Sequence, residues 1–319
     1  MEKEKFQTAF QKIKAAENIL LITHFNPDGD ALSSLCAMIE LVESLQKNYL
    51  AYCASLPGQA FSFLPKIEKV KNEIDDFEKY DLIISLDCGS LPRTRLQKEI
   101  KHRQPNQFYI EFDHHPKMDD YADLELRSPE RASTTEQLYF FLQVNEVEIS
   151  STLALCLLTG LVTDTGNFFY PTTSQETISI ASEMMRKGAK LPKIIEHIWY
   201  NKRLSVMKLW GLAMSRLQIN KKYNIAFSIL TIDDFSEHEA TEDDIEGVSG
   251  FLSNLQDVKA VVLLRESTSG LVMGSLRTNQ QNIDVSALAR KLGGGGHPKA
   301  SGFSVSGSLK KVGENWQIV

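Results

Sequence analysis

The amino-acid sequence predicts an α/β fold in which an N-terminal parallel-sheet domain is followed by a smaller C-terminal α/β domain. In about the first 190 residues, apolar runs of strand length alternate with segments of helical periodicity, which is typical of a parallel sheet covered by helices on both faces. The same alternation begins again after residue 222. A chain of 319 residues is also longer than one hydrophobic core usually accommodates. We therefore expect two domains joined by a helical linker.

The strands of the first domain are predicted from four apolar runs: NILLITH (18–24), LAYCAS (50–55), DLIISLD (81–87) and FYIEFD (108–113). Between the first two runs, apolar residues recur with a helical period over residues 30–47. Ser133 and Glu136 have the spacing of a capping box, which predicts the start of another helix. Helical patterns then continue over three further segments, residues 151–163, 174–187 and 191–218.

A basic segment connects the two domains. Residues 201–222 contain no Asp or Glu but six basic residues: Lys202, Arg203, Lys208, Arg216, Lys221 and Lys222. One interpretation is an ordinary solvated helix face, and the other is a positive wall beside a phosphate-binding cleft, with Arg203 contacting the ligand. The expected boundaries are 1–200 for the first domain, 201–222 for the basic helical linker and 223–319 for the second, glycine-rich domain.

The second domain has its own alternation of strand and helix patterns. Strands are predicted from NIAFSILTID (224–233), KAVVLLRES (259–267), GLVMGSLRTN (270–279) and SGFSVSG (301–307). The middle two are separated by Thr-Ser-Gly, which predicts a hairpin. TEDDIEGVSGFLSNL (241–255) and DVSALARKL (284–292) predict helices.

Composition and charge restrict the class of protein. Hydrophobic residues at 42% and charged residues at 24% are typical of a globular protein in water. The apolar run LALCLLTGLV (153–162) is far shorter than the ~20 residues of a membrane helix, and the N-terminus lacks the apolar region of a signal peptide. Four cysteines lie far apart without a C-x-x-C pair, as in proteins with reduced thiols. These features predict a cytoplasmic protein that does not cross a membrane.

Acidic and histidine residues follow the ends of the apolar segments of the first domain. They are His24, Asp28, Asp30, Asp87, Asp113, His114, His115 and Asp164. Because ligands bind at the carboxyl ends of parallel strands, we expect these side chains to lie close together. Taken singly, each feature has an ordinary explanation. The D-G-D stretch is typical of a turn, an Asp at a strand end is typical of a cap, and the adjacent histidines could be a structural pair. Taken together, they exceed the ligands that one ion needs, so they favour two divalent ions sharing a carboxylate, as in phosphoester hydrolysis. Oxygen and imidazole ligands without thiolates favour Mn²⁺, with Mg²⁺, Fe²⁺ or Co²⁺ as alternatives.

The motifs HFNPDGDALSS, LDCGS, FDHH and TDTGNF, in this order, resemble the four motifs of the DHH phosphoesterase superfamily. GGGGHPKASGF near the C-terminus resembles the glycine-rich motif of the substrate domain associated with that family. The resemblance covers about residues 18–304 and, by size, is nearest to the bacterial nanoRNase/pAp phosphatases, also called bifunctional oligoribonucleases. One departure is Ser33, where the family usually has Gly; we expect a packing adjustment there and no loss of metal.

The resemblance implies a role for each residue of this group. One metal would be held by His24, Asp28 and Asp87, and the other by Asp30, Asp87, His114 and Asp164, so that Asp87 bridges. His115 would face the phosphate as a hydrogen-bond donor or acid, and Asp113 would orient the histidine pair.

The glycine-rich stretch of the second domain is a candidate phosphate and base site. Its candidate ligands are Gly294, Gly295, Gly296, His297, Lys299 and the strand arginines Arg265 and Arg277. Glycine allows backbone N–H groups to surround an anion closely. The alternatives are a flexible helix cap with a linker for the glycines and a solvated strand face for the arginines. The resemblance implies that this domain binds the rest of the substrate.

The function that the resemblance implies is hydrolysis of short RNA to mononucleotides and removal of the 3′-phosphate from 3′-phosphoadenosine 5′-phosphate (pAp). The resemblance implies RNA of about two to five nucleotides, and a net charge of −6 disfavours long nucleic acid as a partner. Rival activities are hydrolysis of linear dinucleotides from cyclic-dinucleotide turnover, manganese pyrophosphatase activity and single-strand exonuclease activity. A nucleotide-sensing binding protein is the alternative that is not an enzyme. A homodimer is compatible with the sequence.

Overall fold

A computed structural model of the chain describes residues 2–118, 120–200, 203–245, 247–313 and 315–319. The chain forms two compact units, Met1–Tyr200 and Asn201–Val319. The predicted α/β fold is confirmed, with a parallel sheet in the first unit and a smaller mixed sheet in the second. Lys202, predicted in the basic linker, lies outside the described residues. No described helix combines the length and the apolar character needed to span a membrane.

A parallel sheet of six strands forms the centre of the described first unit, in the order β3-β2-β1-β4-β5-β6. The strands are β1 (Asn18–Ile22), β2 (Asn48–Tyr52), β3 (Val70–Lys71), β4 (Leu82–Leu86), β5 (Phe108–Asp113) and β6 (Leu124–Arg127). Each of the four predicted apolar runs overlaps one strand, although β2 begins at Asn48, two residues before the predicted run 50–55. The short edge strands β3 and β6 were not predicted, because two to four residues with charged members carry no strand pattern.

Helices of the first unit lie before, between and after these strands in the chain. They are α1 (Glu2–Ala15), α2 (Gly29–Ser44), α3 (Gln97–Lys101), α4 (Thr134–Val144), α5 (Ser151–Asp164), α6 (Gln175–Arg186) and α7 (Leu191–Ile198). The sheet is buried on both faces, as β1 shows: Ile19 and Leu21 join the large core that includes α2 and α5, whereas Leu20 and Ile22 join a second core with Ile100 of α3. Burial on both faces explains why the central strands are continuous apolar runs.

The second unit has a mixed sheet in the order β11-β12-β10-β9-β8-β7 and a separate two-stranded ribbon. Its elements are α8 (Leu204–Ser215), β7 (Gln218–Asn220), β8 (Ile225–Leu230), α9 (Ile232–Glu237), α10 (Val248–Leu252), β9 (Ala260–Ser267), β10 (Leu271–Arg277), α11 (Ser286–Lys291), β11 (Gly295–Gly296), β12 (Ala300–Ser306), β13 (Leu309–Val312) and β14 (Asn315–Ile318). Among the described strands of this second unit only β8 and β9 pair in parallel, and β9 and β10 form the predicted hairpin.

Two predicted helices are shorter than the sequence patterns suggested. The pattern over 241–255 contains a 3₁₀ turn (Glu242–Ile245) and α10, because Gly247 has φ +92°, a left-handed conformation that no continuous helix contains. The pattern over 191–218 contains α7 and α8, and the chain then enters β7. Leu209 and Ala213 of α8 are fully buried in the core of the second unit, so this part of the predicted linker packs as a member of that unit.

Candidate metal centre

The carboxyl edge of the parallel sheet brings together the acidic and histidine residues of the first unit. His24 follows β1, Asp87 follows β4, and Asp113 ends β5. The three strands lie side by side and run in the same direction, so their carboxyl ends meet at one edge. Helix α2 begins at this edge with Asp28 as its N-cap, the carboxylate of which accepts a hydrogen bond from Ala31 N–H at 3.1 Å. Asp164 is the last residue of α5.

Asp87 is held in an unusual backbone conformation at the centre of this group. Its φ is +58°, in the left-handed region that Asp tolerates better than most residues. The strand on either side fixes the turn: Asp87 N–H donates to Phe112 O at 2.9 Å, and the Thr23 hydroxyl donates to Leu86 O at 2.8 Å. The turn places the buried Asp87 side chain, which is 1% exposed, between two groups of possible metal ligands.

The first donor group consists of His24, Asp28 and Asp87, each of which offers one ligand atom within 4.8 Å of the others. His24 Nδ1 lies 2.9 Å from Phe25 O, so Nδ1–H donates there and Nε2 carries the lone pair. Nε2 is buried and has no hydrogen-bond partner among the described residues, and it lies 3.8 Å from Asp28 Oδ2. A histidine bound through one ring nitrogen to a carbonyl, with the other nitrogen directed at carboxylates, is the usual arrangement of a metal ligand.

The second donor group consists of Asp30, Asp87 and His114, with Asp164 beside it. His114 Nδ1 is 3.4 Å from Arg131 O, and Nε2 is 3.1 Å from Asp164 Oδ2 and 3.5 Å from Asp87 Oδ1. Burial, followed by the charge of His115, lowers the pKa of His114. The neutral imidazole therefore directs its lone pair toward two carboxylates, an arrangement that a cation would stabilise.

The carboxylates of the two groups repel one another. Burial and the charges of Asp87 and Asp28 raise the pKa of Asp30 well above its usual range. Burial and the charges of Asp30, Asp28 and Asp87 do the same for Asp164. Crowded carboxylates of this kind become favourable when divalent cations neutralise them. The unpartnered His24 Nε2 and this crowding both fit metal ions that prefer oxygen and imidazole donors, and the neighbouring Cys88 adds no thiolate because burial raises the pKa of its thiol.

His115 is bound to Asp113 and also lies beside Asp87: its Nδ1 is 3.4 Å from Asp87 Oδ1, and the three residues form a further group of possible ligands. Asp113 Oδ1 accepts from both the N–H and the Nδ1–H of His115, at 2.8 and 2.9 Å, and Asp113 Oδ2 accepts from Gly89 N–H at 2.6 Å. Burial lowers the pKa of His115, but the Asp113 and Asp87 carboxylates raise it to about 10. The ring is therefore held as a cation in a fixed orientation, as a proton donor at the site would need.

Two threonines that the sequence analysis missed fix the carboxylates from the N-terminus of α4. Asp30 Oδ2 accepts from Thr134 N–H at 2.6 Å, and Asp30 Oδ1 accepts from Thr135 N–H and its hydroxyl at 3.1 and 2.8 Å. The Thr134 hydroxyl also donates to Asp87 Oδ1 at 2.9 Å. Asp30 Oδ1 thus uses both lone pairs, whereas Asp30 Oδ2 accepts one hydrogen bond and keeps a lone pair for a metal. The capping box at Ser133 was the available signal, since it marked a helix start with unpaired N–H groups.

Arg127, also missed, crosses beneath the Asp113–His115 pair from β6. Its guanidinium lies 2.7 Å from Glu111 Oε1 and 3.4 Å from Asp113 Oδ2, and it donates to His115 O at 2.6 Å. The Arg127 side chain is 6% exposed and the two carboxylates are buried. No sequence pattern indicated this ion pair, because it depends on β6, which the sequence did not predict.

Replacing Gly160 by alanine is expected to destabilise the protein by about 1–3 kcal/mol and to weaken Mn²⁺ binding. A Cβ atom at Gly160 of α5 would lie 2.3 Å from Thr135 Oγ1 and 2.4 Å from Asp30 Oδ1, so one of them must move. Gly211→Ala in α8 is the matched control: its Cβ meets nothing within 4 Å, and it should stabilise by up to about 1 kcal/mol. Urea unfolding and Mn²⁺ titration calorimetry measure both effects. Unchanged stability and Mn²⁺ affinity in Gly160→Ala would contradict this packing.

The predicted substrate residues of the second unit lie on its sheet and loops. Arg265 of β9 is opposite Met273 of β10, and Arg277 lies four positions further along β10, so both arginines are on the same face of the sheet. Arg265 Nε is 3.5 Å from Glu242 Oε2, and Arg277 Nη1 donates to Leu276 O at 2.9 Å. Arg203, at the start of α8, pairs with Asp244 at 3.0 Å.

The glycine run is more ordered than a flexible linker. Gly295 and Gly296 form β11, which pairs with Gly302 and Ser301 of β12. A Cβ atom at Gly294 would lie 2.0 Å from Gly302 O, so this approach requires glycine. His297 begins the tight turn into β12, with its N–H donating to Ala300 O at 2.8 Å.

Lys299 and Ser33, both noted in the sequence, lie in different environments. The Lys299 ammonium donates to Gln281 O and Ile283 O at 2.9 and 3.1 Å and to Gln280 O; it therefore stabilises the backbone turn at 280–283, and a phosphate would have to compete with three carbonyls. Ser33 is fully buried in α2, and its hydroxyl has no hydrogen-bond partner among the described residues.

Both units of the chain are similar to known protein families. The family described as DHH family, N-terminal domain, matches residues 18–161, and the DHHA1 domain matches residues 222–314. The bifunctional oligoribonuclease and PAP phosphatase NrnA of Thermus thermophilus is 27% identical over 308 residues, which are 95% of this chain and 89% of that protein. The Bacillus subtilis protein of the same name is 26% identical over 92% of this chain and 91% of its own length. Among solved structures, an exopolyphosphatase-related protein from Bacteroides fragilis is similar with a TM-score of 0.86 and 26% identity, covering 96% of this chain and 92% of that chain.

Proposed function

The chain belongs to the DHH family, with a DHHA1 domain after the DHH domain, and on that premise we propose that it is a metal-dependent phosphoesterase that hydrolyses short oligoribonucleotides to mononucleotides. We propose that it also removes the 3′-phosphate of pAp. The observation that carries the proposal is the sharing of Asp87 by two donor groups, each of which contains a histidine with Nε2 directed at carboxylates. The substrate classes are taken from the names of the Thermus and Bacillus relatives.

The two donor groups would each hold one divalent cation. His24, Asp28 and Asp87 would form one site, and Asp30, Asp87, His114 and Asp164 the other. Mn²⁺ suits these oxygen and imidazole ligands, with Mg²⁺ or Co²⁺ as alternatives. When bound, the cations supply an activated water and neutralise charge on the phosphoryl group. Thr134 keeps Asp87 in place through its hydroxyl, which is 2.9 Å from Asp87 Oδ1.

His115 would act on the substrate directly. The Asp113 carboxylate, followed by that of Asp87, raises the pKa of His115 against the effect of burial, and Asp113 holds the residue through two hydrogen bonds. A fixed imidazolium can donate a hydrogen bond to a phosphate oxygen and a proton to the departing ribose oxygen. Arg127 and Gly89 N–H hold Asp113 from the opposite side, so the pair need not reorganise during the reaction.

The second unit would bind the part of the substrate that is not cleaved. Arg265 and Arg277 place positive charge on one face of its sheet, and the tight approach of Gly294 to Gly302 O fixes the loop that leads to His297. These residues suit a ligand of a few nucleotides, because an overall charge of −6 disfavours the many phosphate contacts of a long polymer.

A rate comparison across substrates tests the proposal. Purified protein with Mn²⁺ is given 5′-labelled RNA of increasing length, pAp, the linear dinucleotides pApA and pGpG, and pyrophosphate. We expect RNA dimers and trimers to be cleaved to mononucleotides more than about tenfold faster than long RNA, and we expect phosphate release from pAp. No cleavage of any RNA dimer would contradict the main proposal, and pyrophosphate as the fastest substrate would replace it with pyrophosphatase activity.

A further inference from the structure

A cationic loop lies beside the candidate metal centre and has no role in the functions argued so far. It follows Asp87 and contains the 3₁₀ turn Leu91–Thr94. Arg93 reaches back to the centre: a Cβ atom built on Gly89 would lie 2.7 Å from Arg93 Nη1 and 3.4 Å from His115 Cγ. The Arg93 guanidinium and the His115 ring therefore both border the space that a side chain at position 89 would occupy.

The Arg93 guanidinium is available to a ligand. The partly exposed Arg93 side chain forms no ion pair within 4.0 Å and no side-chain hydrogen bond with any residue in the described ranges. Although burial raises the pKa of the Asp28 carboxylate, His24 and, at longer range, the charge of Arg93 lower it overall. The nearby buried arginine Arg127, in contrast, is held by two carboxylates and two carbonyls. The planar guanidinium presents parallel N–H donors, so beside a candidate phosphoryl-transfer centre it can bind two oxygens of one phosphate group.

An exposed aromatic ring adjoins the same loop. Phe25 is 37% exposed, and the Arg95 guanidinium lies over its ring at 4.5 Å from the centroid. The Phe25 backbone connects this ring to both parts of the site: its N–H donates to Arg93 O at 2.7 Å, and its carbonyl accepts from His24 Nδ1–H at 2.9 Å. A large exposed aromatic residue with a cation on one face is a platform on which a nucleobase can stack.

We propose that Arg93 and the Phe25–Arg95 pair form a nucleotide-binding subsite on the first unit, in which Arg93 binds a phosphate oxygen and Phe25 stacks on the base of the same nucleotide. The inference rests on the proposed function, since that function makes the ligand a nucleotide. In this arrangement the first unit recognises a base in addition to binding the scissile phosphate. Gly89 is then required twice, for its φ of +69° and for the space that Arg93 and His115 occupy.

Variants at Arg93 test the phosphate contact. Arg93→Gln should lower kcat/KM on an RNA dimer about a hundredfold, and Arg93→Lys should recover part of it, because a lysine supplies the charge without the planar fork. Arg186→Gln is the matched control: Arg186 is an exposed arginine near the end of α6 in the same unit, and its loss should leave activity unchanged. Equal activity of Arg93→Gln and Arg186→Gln would overturn the inference.

Phe25→Leu tests the stacking, because leucine keeps apolar bulk and removes the π-face. The ratio of kcat/KM for an RNA dimer to that for bis(p-nitrophenyl) phosphate, a diester without bases, should fall about tenfold. Fluorescence of a dimer containing 2-aminopurine, measured without metal, should be quenched by the wild type and much less by the variant. If the wild type quenches the probe but cleaves no RNA, the subsite stands and the proposed function fails. If the wild type cleaves RNA and Phe25→Leu changes neither ratio nor quenching, the subsite is wrong.

Discussion

Replacing Asp87 by asparagine is expected to abolish nearly all phosphoesterase activity. Asp87 lies in both donor groups, so its carboxylate would be shared by both ions. Changing a residue that merely orients a metal ligand typically costs about 10–100-fold in activity or metal affinity, and losing a shared ligand should cost more than the upper end of that range. Asparagine keeps the size of the side chain and can still accept the hydrogen bond from the Thr134 hydroxyl, which is 2.9 Å from Asp87 Oδ1. The loss should therefore reflect the negative charge and not a collapse of the fold.

Metal content and activity are measured together for this variant. We expect Asp87→Asn to bind less Mn²⁺ by titration calorimetry and to show more than a hundredfold lower kcat on an RNA dimer, with a melting temperature near that of the wild type. Asp75→Asn is the matched control, since Asp75 is 72% exposed and forms only a surface ion pair with Lys79. An Asp87→Asn protein that keeps a tenth or more of the activity would exclude the shared-ligand assignment.

The strands of the first unit could be predicted because they are buried on both faces and their ends carry the polar residues. Asp87 and Asp113 were recognisable as strand-end residues without knowledge of the strand order. The helical period over residues 30–47, which contains most of α2, and the capping-box spacing at Ser133, which marks the start of α4, were similarly local signals. Short elements such as β6 and the ribbon of β13 and β14 were not predicted. They are defined by pairing with a neighbouring strand, and their few residues carry no sequence pattern.

The limits at the site have the same physical cause. The sequence analysis found residues with the chemistry of metal ligands, but it could not find those that act through tertiary contacts. Thr134 binds the Asp30 carboxylate across 104 positions of sequence. Arg127 reaches Asp113 from the neighbouring strand β6. Each meets the site through folding alone. Lys299 shows the converse case. Its position after a glycine run suggested an anion ligand, whereas in the fold its ammonium caps backbone carbonyls at 280–283.

Replacing Arg127 by methionine is expected to lower both stability and kcat. Arg127 is the cation between Glu111 and Asp113, and all three side chains are buried. Removing one partner of a buried ion pair typically costs about 3–5 kcal/mol, because the remaining charge is left uncompensated. The His115 carbonyl would also lose its donor at 2.6 Å, so the orientation of the Asp113–His115 pair should relax. A loss of about 10–100-fold in kcat at nearly unchanged KM follows, since the pair would act on the reacting phosphate more than on substrate binding.

A second substitution separates the two effects of Arg127. Glu111→Gln in the Arg127→Met background removes one stranded charge, so the melting temperature should recover in part; kcat should not, because Asp113 and His115 still lack their positioning partner. Arg103→Met is the control: Arg103 pairs with the 38%-exposed Asp123, and its loss should cost less than about 1 kcal/mol. Mn²⁺ content should match that of the wild type in all these variants. Arg127 contacts Asp113 and the His115 backbone, but it contacts no member of the two donor groups that share Asp87. Recovery of kcat together with stability in the double variant would show that Arg127 contributes to folding alone and does not position the catalytic pair.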